Sequence, residues 1–190
     1  MKTIFAALRV FIALTIVTGL AYPLAITVIS HLAFPSQASG SVLTKDRKTI
    51  GSELLAQEFT GPGYFWTRPS AGNFATVASG ASNLGPTSAA LRELIATRRK
   101  ALQEAHDLPA DAAVPDDLVT TSGSGLDPHL TPVAAKFQAG RVAKARHLSE
   151  DKVLELIKAH TESPQFGIFG EARVNVLKLN LALDSLGASS

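Results

Sequence analysis

From Val10 to Ser30 the chain carries no charged residue, and the apolar pattern continues through His31, Leu32, Ala33 and Phe34 to Pro35. A helix needs ~20 consecutive, mostly apolar residues to cross a bilayer core. In lipid the backbone groups must pair internally, so such a run inserts as a helix. After it the pattern changes to that of a water-soluble domain. Residues 35–41 (PSQASGS) are small and polar, as in a linker. Residues 45–59 begin as a strand and turn at Gly51, and Ser52 then caps a short amphipathic turn carrying Leu54, Leu55 and Phe59. The stretch 61–87 is dense in Gly, Ser, Pro and Asn but holds the only Trp, which predicts an ordered loop pinned by Tyr64, Phe65 and Trp66.

Helical spacing then predicts a helix over 88–108, capped by Thr87 or Ser88, with Leu91, Leu94, Ile95, Leu102 and Ala105 near one face and Pro109 as its stop. Asp127-Pro128 and Thr131-Pro132 both look like an N-cap followed by a first-turn proline. The second opens a helix over 132–147 with Val133, Phe137 and Val142 inward. Ser149 caps another helix, in which Val153, Leu156, Ile157 and His160 share a face. A turn-rich loop over 164–170 precedes Arg173–Leu177, which alternates like a strand before Leu179, Leu183 and Leu186 take up a helical face. The fold class expected is α+β: one N-terminal transmembrane helix followed by a single extracytoplasmic mixed α/β domain. The expected divisions are a short cytoplasmic segment (1–9), the membrane helix (10–34), a linker (35–44) and the domain (45–190).

Lys2 and Arg9 precede the uncharged run, and no charge follows it until Lys45. The positive-inside rule therefore places the N-terminus in the cytoplasm and the domain outside. A cleavable signal peptide ending at Ser36-Gln37-Ala38 is the rival, although its apolar core would be only ~7–15 residues long. A buried helix of a soluble protein is a second rival, although such a helix would carry a polar stripe.

Composition narrows the chemistry. No cysteine is present, which excludes disulfide scaffolds, thiolate metal sites and cysteine nucleophiles. The sequence pI is 9.0, but the excess positive charge sits at the membrane flank. Without Lys2 and Arg9, the 18 Lys+Arg fall to 16, against 16 Asp+Glu that all follow the apolar run. A neutral domain does not draw in nucleic acid. The basic clusters Arg98-Arg99-Lys100 and Arg141, Lys144, Arg146 read as solvated helix faces.

No phosphate-binding loop of the glycine, four-residue, Gly-Lys-Ser/Thr type occurs, and no Asp-Lys-Thr-Gly-Thr phosphorylation run. The five histidines form no i, i+4 pair, so no metal ligand set is assigned. Ser149 and Lys152 match a Ser-x-x-Lys motif but lack its partner motifs, and a helix cap explains them. Ser122 or Ser124 with Asp127 and His129 supplies the residue types of a hydrolase triad, without a nucleophile elbow. An anchored exported hydrolase is thus the alternative function. The Ser122–Gly125 loop reads as a turn, or else as an anion cradle of backbone N–H groups. No catalytic, cofactor-binding or metal residue is assigned. In the apolar run, Thr15, Thr18, Gly19, Ala21 and Ala25 are small, which permits close approach of a second helix, and Pro23 bends the helix.

Several blocks together resemble one family. They are Thr18–Pro23 (TGLAYP), Tyr64-Phe65 with Arg68-Pro69-Ser70-Ala71, Ser82–Thr87 (SNLGPT), Asp117–Thr120, and Ser122–His129 (SGSGLDPH). Arg141-Val142-Ala143 with Arg146, and Val174–Leu177 with Leu179-Asn180, complete the set. In this order they resemble the C subunit of the Kdp-type potassium-transporting ATPase of bacteria. Ala56 and Ala81 stand where that family is expected to have glycine.

The resemblance implies a non-catalytic accessory subunit of an ATP-driven, high-affinity potassium uptake complex in the bacterial inner membrane. It would be required for assembly, and would promote ATP binding by the catalytic subunit only indirectly. Its implied partners are a potassium-channel-like subunit, a P-type ATPase subunit, a small single-helix subunit and membrane lipid. ATP, Mg and potassium would be used by the complex, with no cofactor held by this chain. Thr15, Thr18, Gly19, Tyr22, Pro23 and Ala25 would pack against partners in the membrane. Tyr64, Phe65, Arg68, Pro69, Ser82, Asn83, Ser122, Gly123, Ser124, Gly125, Asp127 and His129 would form structural or partner-contacting loops.

Overall fold

The computed structural model describes residues 2–45 and 47–187. Met1, Asp46 and residues 188–190, which fall in the expected N-terminal, strand and domain segments, lie outside the described residues. The chain forms two compact units, residues 1–52 and 53–190.

The first unit is dominated by one long helix, Lys2–Ala33, which is long and apolar enough to cross a membrane. It consists of α1 (Lys2–Ile16), a π-turn (Val17–Ala21) and α2 (Tyr22–Ala33). The π-turn sits immediately before Pro23, and its Tyr22 N–H reaches back to the Val17 carbonyl. Proline lacks an N–H and its ring crowds the carbonyl four residues back, so a one-residue widening relieves the clash without ending the helix. Thr18 Oγ1 donates to the Leu14 carbonyl at 2.7 Å.

The segment expected as a linker contains one helical turn, α3 (Pro35–Ala38), and the first strand of a hairpin. Strands β1 (Val42–Lys45) and β2 (Lys48–Ser52) pair antiparallel, Val42 opposite Ser52 and Lys45 opposite Lys48, with a bulge at Leu43/Thr44. Gly51 is therefore a strand residue opposite Leu43, not the expected turn. A turn over 53–54 follows Ser52, and Ser52 Oγ donates to the Gly40 carbonyl at 2.7 Å, tying the start of the hairpin to its end.

The second unit mixes helices with a small sheet. Helix α4 (Ala89–Ala105) is capped by Ser88, whose Oγ accepts from the Leu91 N–H. Leu102 is buried and Ile95 packs against the core, whereas Leu94 is exposed, on the other side of the predicted face. Strand β3 (His129–Leu130) follows Asp127-Pro128, where a helix start was expected. Asp127 does cap a backbone N–H, that of His129 at 3.0 Å, but in a turn that leads into a strand. Thr131 does open a helix: its Oγ1 accepts from Ala134 N–H at the start of α5 (Pro132–Phe137).

The helix expected over 132–147 is broken at Gln138, and α6 (Ala139–Arg146) follows it. Val133 is exposed, while Ala134, Ala135, Ala139 and Val142 are buried. Small residues let these helices approach α7 (Glu150–Ala159), which packs on α5, α6 and α8 (Val176–Gly187). Ser149 caps α7 as its sequence suggested. The sheet runs β3–β5–β4, all antiparallel, with β5 (Arg173–Asn175) central and β4 (Thr161–Glu162) at the far edge. The core is closed by Val153 and Ile157 of α7, Val174 of β5, and Leu179 and Leu183 of α8, all buried. This mixed helix-and-sheet region after one apolar helix is the expected fold class.

Candidate functional site

The irregular segment 61–70 runs over the core with its backbone amides paired to buried side chains. Phe65 N–H donates to Asn180 Oδ1 at 2.8 Å, and Asn180 Nδ2 donates to the Phe65 carbonyl at 3.0 Å. One residue on, Trp66 N–H donates to Gln138 Oε1 at 2.8 Å, and Gln138 Nε2 returns a bond to the Trp66 carbonyl at 3.1 Å. Gln138 and Asn180 are both buried, as is Phe65. A carboxamide offers a donor and an acceptor side by side, as a neighbouring strand would. Here two carboxamides do what a sheet partner would do, which is why a loop can be buried without orphaned amides.

Two arginines complete the clamp. Arg141 donates from Nε to His106 Nε2 at 3.2 Å, from Nη2 to Gln138 Oε1 at 2.8 Å and from Nη1 to the Pro62 carbonyl. Its guanidinium lies 3.9 Å from the centre of the Trp66 ring. Burial pushes the Arg141 pKa down to about 10, which still leaves it charged at neutral pH. Arg146 donates to the Gly63 carbonyl at 2.7 Å and to Asp184 Oδ1 at 2.8 Å, 4.5 Å above the Tyr64 ring. The expected solvated basic face is thus corrected for these two residues, since both point inward onto the loop. Lys144 fits that expectation: it is exposed and pairs with Asp107 at 2.8 Å.

His106 bridges α4 to this network. Its Nδ1 lies 2.8 Å from the Leu102 carbonyl while its Nε2 accepts from Arg141, so the ring is neutral with the proton on Nδ1. Burial is the largest influence and lowers its pKa; the Leu102 carbonyl opposes this, the Arg141 charge adds to it and Asp107 opposes it, for a net lowering.

A second cluster joins the same loop to the Ser122–His129 segment. Arg68 Nη1 pairs with Asp127 Oδ2 at 3.3 Å, and His129 Nδ1 lies 3.5 Å from Asp127 Oδ1. Burial, the largest influence, would raise the Asp127 carboxyl, but the bonds from the His129 side chain and backbone and the Arg68 charge together hold it below the ordinary value. Ser124 Oγ accepts from the Leu126 N–H at 3.1 Å, and Ser122 is buried. Gly125 has φ +68, and a Cβ there would lie 2.9 Å from the Gly80 carbonyl, so glycine is required both by conformation and by space. Among the described residues no hydrogen bond joins His129 to Ser122 or Ser124. Of the hydrolase residue types, Asp127 ties the 61–70 loop to the 122–129 segment through Arg68.

Beside the clamp lies a cleft of about 360 Å³ walled by Phe59, Trp66, Pro69, Phe74, Leu102 and Leu118, with Arg68 and Arg98 at its edge. Arg98 Nη1 donates to the Val119 carbonyl at 2.9 Å. Of the motif residues expected from sequence, Tyr64, Phe65, Arg68, Asp127 and His129 are brought into these two connected clusters. Ser82 and Asn83 are not: Asn83 is exposed with φ +55. Gly123 faces open space. In the long helix Tyr22 is exposed, and a Cβ at Gly19 would meet only Thr15 Cγ2, at 4.0 Å. Sequence reading missed Gln138 and His106. A polar residue among Ala134, Ala135, Ala139 and Val142, at core positions of a helix, was the available signal for Gln138.

Among the described residues no group of three or more His, Asp or Glu side chains is placed to hold a metal ion. Arg68 pairs with Asp127 and Arg146 with Asp184, while Arg98 and Arg141 donate to backbone carbonyls; among the described residues Arg68 Nε is buried without a hydrogen-bond partner.

Comparison with known proteins matches residues 4–185 to the family described as KdpC: K+-transporting ATPase, c chain. A potassium-transporting ATPase KdpC subunit of Polaromonas naphthalenivorans is 53% identical over 183 residues, covering 95% of this chain and 93% of the relative. The subunit of the same name from Burkholderia ambifaria is 51% identical over 193 residues, covering 100% of both chains. That from Cereibacter sphaeroides is 50% identical over 182 residues, covering 96% of each.

Proposed function

The chain belongs to the KdpC family of K+-transporting ATPase c chains, and from that premise we propose that it is a non-catalytic accessory subunit that assembles and stabilises an ATP-driven, high-affinity potassium uptake complex. The observation that carries this reading is the family match over residues 4–185, which spans the membrane helix and the second unit together. Anchor and domain are therefore one functional piece, and the chain is a membrane-anchored part of a potassium-transporting ATPase.

In this reading the N-terminus is cytoplasmic and the domain, residues 45–190, stands on the outer face of the bacterial inner membrane. Its partners are a potassium-channel-like subunit, a P-type catalytic subunit and a small single-helix subunit. ATP hydrolysis with Mg belongs to the catalytic subunit, and potassium is the cargo. Any promotion of ATP binding travels through subunit contacts, because the outer domain does not meet cytosolic ATP. Both clusters of the loop site serve as scaffold: they hold segments far apart in sequence in one rigid surface.

Within the membrane, Thr15, Thr18, Gly19, Tyr22, Pro23 and Ala25 pack on partner helices. Small residues allow backbone approach in lipid, where apolar burial supplies no drive for association. Gly19 gives a clean test because a side chain there meets only Thr15 within the chain. Gly19→Leu is expected to leave membrane insertion unchanged and to lower recovery of both large partner subunits with the detergent-extracted chain by tenfold or more. Undiminished recovery would remove Gly19 from the interface.

A further inference from the structure

The turn between β4 and β5 is built unlike a passive loop. Gln165 and Phe169 exchange both backbone bonds, N–H to carbonyl at 2.8 and 2.9 Å, and Ile168 N–H donates to the Gln165 carbonyl at 3.2 Å. Phe166 and Gly167 are the central residues, with φ of +55 and +75. Positive φ at both centres marks the tight turn that suits a twisted hairpin, and Asn-Gly is its preferred pair. A phenylalanine there is held in the left-handed region, where a bulky side chain is an outlier.

The same residue is 84% exposed, with Ile168 at 79% and Phe169 at 65%. Thus the turn holds Phe166 in a strained conformation and leaves it in water, so neither local geometry nor the core of this chain accounts for it. An aromatic side chain buries ~150–250 Å²; Phe166 and Phe169 alone offer ~300 Å², over a third of one partner's share of a standard protein interface. Because the hydrogen bonds already fix the turn, binding would lose little conformational freedom.

The charges around it favour a protein over a lipid surface. Glu171 stands at the base of the turn; the neighbouring Arg173 pairs with Glu162 at 3.0 Å, and Lys178 with Glu53 at 2.6 Å. A segment built to enter an anionic bilayer surface carries unpaired Lys and Arg around its apolar residues, and here Arg173 and Lys178 are already paired with carboxylates.

We propose that the 164–170 turn is a docking knob that seats Phe166, Ile168 and Phe169 in an apolar, non-acidic pocket on another protein subunit of the same potassium-transporting complex. This rests on the reading of the chain as such a subunit.

The test uses the full-length tagged chain, co-produced with its complex and extracted in detergent. The unsubstituted chain must bring down the partner subunits; its failure would sink the subunit reading, and the knob with it, before any variant is made. Replacing Phe166, Ile168 and Phe169 together by Ser is expected to lower partner recovery at least tenfold, while Leu at all three retains it. Recovery at the unsubstituted level with Ser would overturn the proposal. Because the chain has no cysteine, Ile168→Cys offers a single thiol and a readout that does not depend on the triple variant folding. Its reaction with a maleimide is expected to be at least tenfold slower in the complex than in the isolated chain. Equal rates would overturn the docking. Equal slowing of the isolated chain in phosphatidylethanolamine–phosphatidylglycerol nanodiscs would assign the knob to lipid and overturn it too.

Discussion

The segments 61–69 and 164–170 are both short, turn-rich and aromatic: one carries Tyr64, Phe65 and Trp66, the other Phe166, Ile168 and Phe169. In the first, Phe65 is buried and its neighbours are held by Gln138, Asn180, Arg141 and Arg146. In the second, all three apolar side chains are exposed and, among the described residues, the hydrogen bonds that close the turn run between its own backbone groups. Composition does not separate them. What does is the supply of polar partners: a loop enters the core only where side chains from elsewhere can pair its amides. The first loop therefore belongs to this chain's own stability, and the second is left for a surface outside it.

The largest expected effect attacks the clamp. Asn180→Ala leaves the buried N–H and carbonyl of Phe65 unpaired, which is expected to cost about 3–4 kcal/mol. Trp66 is the only tryptophan and lies in this loop, so its fluorescence during urea unfolding of the detergent-solubilised chain measures the loss. A loss under ~1 kcal/mol would mean the carboxamides do not hold the loop. Arg141→Lys comes next: an ammonium cannot bond Pro62, His106 and Gln138 together, and a loss of about 1–3 kcal/mol is expected by the same measurement.

Acid should act on the clamp and spare the knob. The folded chain holds the His106 pKa below its ordinary value, so its contribution is complete above the unfolded pKa. It is lost as pH falls toward the folded value, because the unfolded chain takes up the proton first. From pH 8 to pH 5 the chain should lose stability, at no more than ~1.4 kcal/mol per pH unit for one proton. His106→Gln should flatten that slope, and an unchanged slope would remove His106 as its source. The smallest effect probes the knob. Phe166→Asn puts the preferred residue at the left-handed position and should stabilise the isolated chain by about 0.5 kcal/mol. Clear destabilisation would show that Phe166 serves the fold.

The local features of the fold were legible in the sequence. The uncharged run gave the long helix, and Ser88, Thr131 and Ser149 cap helices as their side chains suggest. Arg173–Leu177 broke its alternation where strand β5 hands over to α8. Features set by distant partners were not legible. Gln138 interrupts its helix while its side chain pairs with Trp66, which lies 72 residues earlier. Arg141 and Arg146 look like surface cations until the aromatic rings beneath them are placed. Asp127-Pro128 satisfies a helix-start pattern, yet pairing of His129 with Asn175 turns it into a strand. In the loop site, Tyr64, Phe65, Arg68, Asp127 and His129 are expected from their motifs, and the structure places them in two neighbouring clusters. Their grouping depends on contacts that no local pattern encodes.

The central claim, that this chain assembles a pump without doing its chemistry, is tested most directly by potassium-stimulated ATP hydrolysis in the purified complex. The comparison is between preparations made with and without the chain, alongside the chain alone. The account predicts stimulated hydrolysis from the complete complex, loss of the assembled complex and its activity without the chain, and none from the chain by itself. Hydrolysis by the isolated chain, or an intact and fully active complex lacking it, would contradict the account.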